Sequence, residues 1–440
     1  MKIIRSDFLK NAGKLFSGSL AAQAIGFGAI VFLGRMYSPE EFGELDIFMK
    51  MAVVLVAIAG LRYEVAIVVE DDSKTAQDIT RLSLILNLFI SLLVLLVVIS
   101  FKSSIASFFK LSHPNILYAL PPAIWLLSST DTLVNWRNRA REYGVISTNR
   151  IATSLSGVGY KLSHPFLAVV SGNGLVIGQI LGQVVALVHI VFKLPFSLFQ
   201  TSGDAIRTVA KKYKSFALFS SPAALLNILA VNMPWFMIAT FDGQAATGHF
   251  GNAYKLTYLP MSMLALALGQ VFFEKIARIK TDKKEAAAMS HQLVSLMFWA
   301  ALIPVVILAV WGDQIAPVVL GDQWHEAGIY IQITILFYFS MFLTTSFSSA
   351  FSTYNKLNFQ LLYNLAFLIF TSCALYFGYT IGGSTRVALA WFTIVGAVLR
   401  ILVLNYFFVL FGKNLIAKTI FALLFTGILI YIGFGIKEGF

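Results

Sequence analysis

Cysteine, acidic residues and the usual motifs of soluble enzymes are scarce in this chain. Cys373 is the one cysteine among 440 residues, which excludes an intrachain disulfide. Charged residues make up 12%, about half of what soluble domains carry. The six histidines are scattered singly, and the sequence contains no phosphate-binding P-loop, HExxH or Cys/His cluster. We therefore expect no metal site and no cofactor.

Long apolar runs take the place of these features. The chain is 58% hydrophobic with a mean hydropathy of +0.79. A run of about 20 apolar residues crosses the roughly 30 Å core of a bilayer. The sequence predicts an all-α polytopic membrane protein with about 12–13 transmembrane helices. The thirteen predicted segments are 14–36, 44–69, 80–100, 116–137, 146–170, 174–193, 215–241, 248–274, 290–311, 327–351, 358–380, 385–411 and 417–436.

Lysines and arginines are distributed unevenly between the polar connections. When alternate connections are assigned to opposite sides, with the N-terminus cytoplasmic, 23 of the 33 basic residues fall on the cytoplasmic side and five on the other. This asymmetry is the positive-inside pattern of inner-membrane proteins. The net charge of +12 therefore indicates topology and contact with anionic lipids, and a nucleic-acid partner is not expected.

The segments divide into two related halves. The end of segment 1 leads through Pro39 to Gly43 into a helix with Lys50, and the end of segment 7 leads through Phe241 to Gly251 into a helix with Lys255. A repeat after six segments, an even number, runs in parallel and predicts two pseudo-symmetric six-helix bundles around a central cleft. The predicted divisions are an N-terminal lobe (1–193), a cytoplasmic basic linker (194–214), a C-terminal lobe (215–411) and an accessory helix (412–440).

Charged side chains inside the apolar segments are candidate cleft residues, because an unpartnered charge at the centre of a bilayer costs several kcal/mol. The candidates for binding an anionic group such as pyrophosphate are Lys50, Lys161, Lys255 and Arg400. The candidates for ion coupling or cleft lining are Asp46, Glu64, Asp131 and Asn135. For each, snorkelling to an interface or an ordinary buried pair is the alternative interpretation. Lys161 and Arg400 are placed too centrally for snorkelling.

Asp46 and Glu64 are 18 residues apart, which is about five turns of helix. If segment 2 is one straight helix, the two acids lie at opposite ends of one face. On the same assumption Arg62 points about 160° away from Asp46, as estimated from helix geometry, and is left outside the cleft.

Three stretches resemble a known family. They run from Phe8 to Gly18, from Pro39 to Gly43, and from Leu61 to Asp72, which reads Leu-Arg-Tyr-Glu-Val-Ala-Ile-Val-Val-Glu-Asp-Asp. The chain resembles the polysaccharide-biosynthesis, O-antigen-type flippases of the multidrug/oligosaccharidyl-lipid/polysaccharide superfamily over segments 1–12. The resemblance implies alternating access, with an undecaprenyl-pyrophosphate-linked oligosaccharide moved across the inner membrane. No motif carries the cations over residue by residue, so the candidate residues rest on the helix-face argument.

Two other functions remain open. An ion-coupled multidrug or cation antiporter of the same superfamily predicts a cleft dominated by acids, whereas bases predominate here. An integral-membrane glycan polymerase or glycosyltransferase needs a sizeable loop for its catalytic acids, and the longest outer loops have about 15 residues. We expect a transporter rather than an enzyme, with other glycan-assembly membrane proteins as further candidate partners.

Overall fold

The computed structural model of the protein describes residues 2–167, 172–192, 194–198, 200, 202–279, 282–348, 350–354, 356–411 and 426. Within these residues every regular element is a helix. The α-helices in chain order are α1 Lys2–Met36, α2 Pro39–Ala59, α3 Tyr63–Val69, α4 Ser73–Phe108, α5 Leu120–Arg139, α6 Tyr143–Ser163, α7 Gly174–Val191, α8 Gly203–Lys212, α9 Ser221–Ile279, α10 Lys283–Leu320, α11 His325–Thr345, α12 Ala350–Thr353, α13 Leu357–Gly382 and α14 Thr385–Leu410.

Among the described residues, eight helices are long and apolar enough to cross a membrane, or nine if α2 and α3 together count as one bent span. The polytopic all-α prediction is thereby confirmed. Helices α5 and α6 form where segments 4 and 5 are predicted, but they are not among the eight apolar spans. They carry the polar residues singled out above, so a helix face in contact with water or protein suits them better than lipid. The predicted segment 417–436 lies outside the described residues, apart from Thr426.

Contacts within the chain group it into two compact units, Met1–Asn232 and Met233–Phe440. The predicted linker 194–214 contains α8, which packs against α4 of the first unit. The predicted segments 7 and 8 both lie in α9, which is interrupted at Gly243 (φ 79°, ψ −155°). Glycine alone adopts this backbone conformation readily, so the break falls within the predicted turn. The lobe and linker boundaries stay a prediction.

The prediction of one straight helix over segment 2 is wrong. Helix α2 ends at Ala59, α3 begins at Tyr63, and the two are bent by 59°. Leu61 and Arg62 have positive φ angles of 47° and 63°, which ends the helical hydrogen-bond ladder. Asp46 and Glu64 therefore do not share one helix face, and the reason given for leaving Arg62 aside no longer holds.

Helix α2 has a well-defined start. Ser38 accepts a hydrogen bond from the backbone N–H of Glu41, and the Glu41 carboxylate accepts one from the backbone N–H of Ser38 at 2.9 Å. Pro39 occupies the first turn, where its missing N–H costs nothing. The Pro39–Gly43 stretch, identified above as a turn, is thus a capping box that fixes where α2 begins.

Glycines allow α6 and α7 to pack backbone to backbone. A Cβ at Gly182 would lie 2.9 Å from the backbone oxygen of Thr153, and one at Gly178 would lie 2.9 Å from that of Gly157. Since a backbone oxygen cannot rotate away as a side chain can, any larger residue pushes the helices apart.

We predict that Gly182→Ala lowers the free energy of unfolding by about 1–3 kcal/mol, the usual cost of overpacking. Gly159→Ala on α6 is the matched control, because its Cβ would meet open space. It should be neutral or stabilising by up to about 1 kcal/mol through helix propensity. Unfolding of the detergent-solubilised protein measures both, and equal stability of the two variants would contradict the packing described here.

Candidate functional site

Four charged side chains interact in the first unit. The Arg62 Nη1 atom lies 3.7 Å from Oε1 of Glu64 at the start of α3. The Asp131 carboxylate on α5 interacts electrostatically with Glu64, Arg62 and Arg150. Arg150 on α6 also donates a hydrogen bond to the Ser19 hydroxyl on α1. Two acids and two bases thus form a charge-balanced group, which we call the N-unit charge cluster.

Asp131 is the exposed member of the polar residues on α5. Ser128 and Thr132 are buried and donate to the carbonyl oxygens of Ile124 and Ser128, at 2.7 and 2.9 Å, so their polarity is satisfied inside the helix. Asn135 is half-buried and donates to the backbone oxygen of Asp131 at 3.0 Å. Asp131 therefore remains the group on α5 that can meet an ion or a substrate.

Arg62 and Arg150 were not among the predicted candidates. Arg62 was set aside because segment 2 was taken as straight. Arg150 lies close to the predicted start of segment 5 (146–170) and not at its centre. The Gly60 that precedes the family-like Leu61–Asp72 stretch was the available signal that the helix breaks there.

Lys161 lies in the last turn of α6, because α6 ends at Ser163 instead of continuing to residue 170. The argument that its position is too central for snorkelling is therefore wrong. Its Nζ donates to Oε1 of Gln179 on α7 at 2.9 Å, and its backbone oxygen accepts from the Tyr37 hydroxyl at 2.6 Å. Lys161 thus helps to fasten α6 to α7 and α1.

The remaining candidates of the first unit lie on α2. Asp46 is buried and Lys50 is half-buried, and they are one helical turn apart. Their role in binding stays a prediction.

Arg400 lies near the middle of α14, in the second unit. Its guanidinium carbon is 4.8 Å from the ring centroid of Phe367 and 6.0 Å from that of Tyr363, and it interacts electrostatically with Tyr258. Its Nε is buried and has no hydrogen-bond partner in the part of the chain that the structure describes. Within the described residues, this cation contacts aromatic rings and no carboxylate.

Lys255 is one turn from Tyr258 on α9 and donates to Oδ1 of Asn252 at 3.3 Å. The rings of Trp235, Tyr254, Tyr258 and Tyr338 continue in edge and stacked contacts with centroid distances of 5.3 to 5.8 Å. The structure thus places two of the predicted cations beside Tyr258 in an aromatic wall, which we call the C-unit cation site (Lys255, Tyr258, Tyr363, Phe367 and Arg400).

A second polar network attaches the linker to the first unit. Glu70, at the end of α3, accepts hydrogen bonds from Lys212 at 2.6 Å and from the Tyr213 hydroxyl. These bonds, together with one from the backbone N–H of Asp72, lower the pKa of Glu70 to about 2. Nearby, the guanidinium of Arg81 donates to the backbone oxygen of Ser197 at 2.8 Å.

The Tyr63 hydroxyl on α3 also donates to the backbone oxygen of Ala210 at 3.0 Å. Ile67 and Val209 are buried in the apolar core that these contacts surround. We call these attachments the linker clamp (Tyr63, Glu70, Arg81, Ser197, Ala210, Lys212 and Tyr213).

A family model described as polysaccharide biosynthesis protein matches residues 32–329 of the chain. No curated protein matches its sequence.

Several solved structures share the fold, and three of them are described here by their similarity. The lipid II flippase MurJ in an inward closed conformation is 12% identical, with 98% of each chain covered and a TM-score of 0.67. An inward-facing multidrug resistance MATE family transporter of the MOP superfamily is 13% identical over 90% of this chain and 96% of that one, with a TM-score of 0.67. A MOP superfamily transporter from Pyrococcus furiosus, described by the reverse polarity of its binding pocket, is 14% identical over 92% and 97%, with a TM-score of 0.61. Identities this low establish a shared fold and nothing finer.

We predict that Glu70→Gln loosens the linker clamp, because Lys212 and Tyr213 lose a charged acceptor. Trypsin should cut the basic 207–214 segment about threefold to tenfold faster. The factor is modest because Lys212 is exposed to solvent, which weakens its bond to Glu70. Asp71→Asn, a neighbouring exposed acid, is the matched control.

The effect should also depend on pH. Since the folded state depresses the pKa of Glu70 from 4.5 to about 2, its contribution is complete above about pH 4.5 and declines as the pH falls toward 2. The stability difference between wild type and Glu70→Gln should shrink over that range. A pH-independent difference, or equal cleavage of the two variants, would rule out this role of Glu70.

Proposed function

The chain belongs to the polysaccharide biosynthesis protein family, and from this premise we propose that it is a lipid-linked oligosaccharide flippase. In this proposal it moves an undecaprenyl-pyrophosphate-linked oligosaccharide from the cytoplasmic to the periplasmic leaflet of the inner membrane by alternating access. The glycan serves the export of an O-antigen- or capsule-type polysaccharide. The N-terminus and the basic linker face the cytoplasm and its anionic lipids, and other glycan-assembly membrane proteins are candidate partners.

The observation that carries the proposal is the environment of Arg400. A guanidinium near the middle of an apolar helix costs roughly 2.5–3.5 kcal/mol unless something compensates it. Within the described residues its compensation comes from the faces of Phe367 and Tyr363, which hold a cation without neutralising it. Its charge and its unpartnered Nε therefore remain available to an anion.

A diphosphate fits this arrangement better than a cationic drug does. Arginine binds phosphate oxygens in a bidentate manner, and the second cation, Lys255, adds a charge beside the same tyrosine. A cationic substrate would be repelled by both. Lys50 and Lys161 are further candidate contacts for the diphosphate. Lys161 already donates a hydrogen bond to Gln179, so the diphosphate would share this cation with that amide.

The sugar part of the substrate needs a hydrated path, because moving its hydroxyl groups into lipid would remove their hydrogen bonds to water at a high free-energy cost. Helices α5 and α6 supply polar surface, with Asp131 and Arg150 exposed on it. We assign the passage of the sugar to this surface, with Asp131 and Asn135 as lining residues.

The second candidate is an ion-coupled antiporter, which the acids of the N-unit charge cluster favour. Glu64 and Asp131 are the kind of groups that carry a proton or a cation through a transporter. The antiporter predicts that expression changes resistance to cationic dyes, and the flippase predicts no change.

We predict that Arg400→Ala reduces oligosaccharide translocation at least tenfold, because a charge-assisted bond to phosphate contributes about 1.5–3 kcal/mol. Arg400→Lys should restore part of it, since the charge returns without the bidentate geometry. Lys255→Ala should cost less, and Lys283→Ala, an exposed cation at the start of α10, is the matched control.

Translocation is measured as leaflet accessibility of the lipid-linked oligosaccharide in a deletion strain that expresses each variant at equal level. Accumulation on the cytoplasmic face in the deletion strain is the primary expectation. Full activity of the Arg400→Ala, Lys255→Ala and combined variants would refute this site, and an unchanged lipid-linked pool in the deletion strain would refute the flippase itself.

A further inference from the structure

A buried amide on α4 points an unused acceptor at the bend between α2 and α3. The Asn87 side chain is fully buried, and its Nδ2 donates to the Thr132 hydroxyl at 3.1 Å. Thr132 in turn donates to the backbone oxygen of Ser128. Because the Thr132 hydrogen is committed to that carbonyl, its oxygen is the acceptor and the Asn87 amide is oriented with Oδ1 on the other side. This Oδ1 has no hydrogen-bond partner among the described residues.

Glu64, at the start of α3, places a second hydrogen-bond acceptor beside the same bend. Glu64 Oε2 is buried without a hydrogen-bond partner among the described residues, while Oε1 is directed to Arg62. A Cβ at residue 60 would lie 2.6 Å from Glu64 Oε2 and 3.2 Å from Asn87 Oδ1, so both oxygens border the volume that Gly60 leaves open. Two buried acceptors directed at one small space are unfavourable unless a hydrogen-bond donor lies between them.

We propose that Glu64 carries a proton on Oε2 and donates it to Asn87 Oδ1, which makes the α2–α3 bend a proton-binding site. The carboxylate takes a proton from a hydronium ion of the solvent: one O–H bond of hydronium breaks and leaves water, and one O–H bond forms on Oε2, which leaves a neutral carboxyl group. The inference rests on the proposed flippase function only in assigning a use to this site, namely the coupling of oligosaccharide transport to protons.

A proton fits the site better than a metal cation. Hard cations are usually held by about six or more oxygen ligands, whereas this space is bordered by the two side-chain oxygens described above. A proton needs one donor and one acceptor, and the geometry supplies them.

The charged groups that act on Glu64 come from two elements. Arg62 lies 3.7 Å from the Glu64 carboxylate at the bend, and the Asp131 carboxylate on α5 interacts electrostatically with Glu64. From α4 the facing group is the neutral Asn87, and the charged Asp78 and Arg81 of that helix are paired with each other at 2.7 Å. A cation at the bend and an acid on α5 therefore both act on this carboxyl group.

Release of the proton has a mechanical consequence. An ionised Glu64 repels Asn87 Oδ1, and the strained left-handed residues Leu61 and Arg62 are where α3 can turn to separate the two oxygens. The other end of α3 holds the linker through Glu70. Proton binding at Glu64 would thus be transmitted through seven residues of helix to the linker clamp.

The test uses infrared difference spectroscopy of the purified full-length protein, which detects the carbonyl stretch of protonated carboxyl groups as the pH is stepped. We expect a band that grows as the pH is lowered, disappears in Glu64→Gln and persists in Glu40→Gln, an exposed acid of α2. Gly60→Ala and Asn87→Ala keep the carboxyl but remove the shared space or the acceptor, and should weaken proton binding roughly two- to tenfold.

Repeating the titration in sodium and in choline at equal ionic strength distinguishes the cation. A band that Glu64→Gln leaves unchanged, or that sodium abolishes at constant pH, would overturn the proposal. The infrared measurement needs no oligosaccharide. A Glu64 band in a protein that translocates no oligosaccharide would therefore refute the flippase function alone. Translocation without a Glu64 band would refute the proton site alone.

Discussion

The structure depends on one constraint: a helix that crosses a bilayer must satisfy its ionisable side chains from protein, because lipid offers no partner. In the first unit, each of the charged side chains named next has a protein partner close by. Arg62 lies beside Glu64, Arg150 donates to Ser19, and Lys161 donates to Gln179. The last two contacts tie α6 to α1 and to α7, and the first holds Glu64 at the bend, so groups that would be costly in lipid contribute to how the helices pack.

The same constraint explains why the bend at Gly60–Arg62 is tolerable. Breaking a transmembrane helix frees backbone groups, and here local bonds recover them: Leu61 N–H donates to Ile58 and Tyr63 N–H donates to Gly60, both at 3.0 Å. Arg62 then closes over Glu64. The break therefore costs little hydrogen bonding while it redirects α3 toward the linker, and it brings a carboxyl group and a buried amide to the same space.

Apolar runs predict most of the described helices, and the capping residues Ser38 and Glu41 mark the start of α2. The apolar runs do not reveal the bend, because Leu61 and Arg62 are ordinary residues within such a run, and the sequence signals it through Gly60 instead. Lys161 was misplaced because the apolar run continues past Ser163 although the helix ends there. The contact between Lys161 and Gln179 depends on the register of α7 against α6. The periodicity of a single helix gives no information about that register.

The two units differ in what they leave available for a ligand. In the first, acids and bases are balanced, and within the described part of the chain the unmet requirement is a hydrogen-bond donor between Glu64 and Asn87. In the second, Arg400 lies against the rings of Phe367 and Tyr363 with no carboxylate contact among the described residues, so the unmet requirement is negative charge. A substrate with a diphosphate and a coupling ion of opposite sign would meet one requirement each. A cationic drug would compete with the proton for the acids of the first unit. It would also leave the cations of the second unit without a role. This is the physical reason for preferring the flippase.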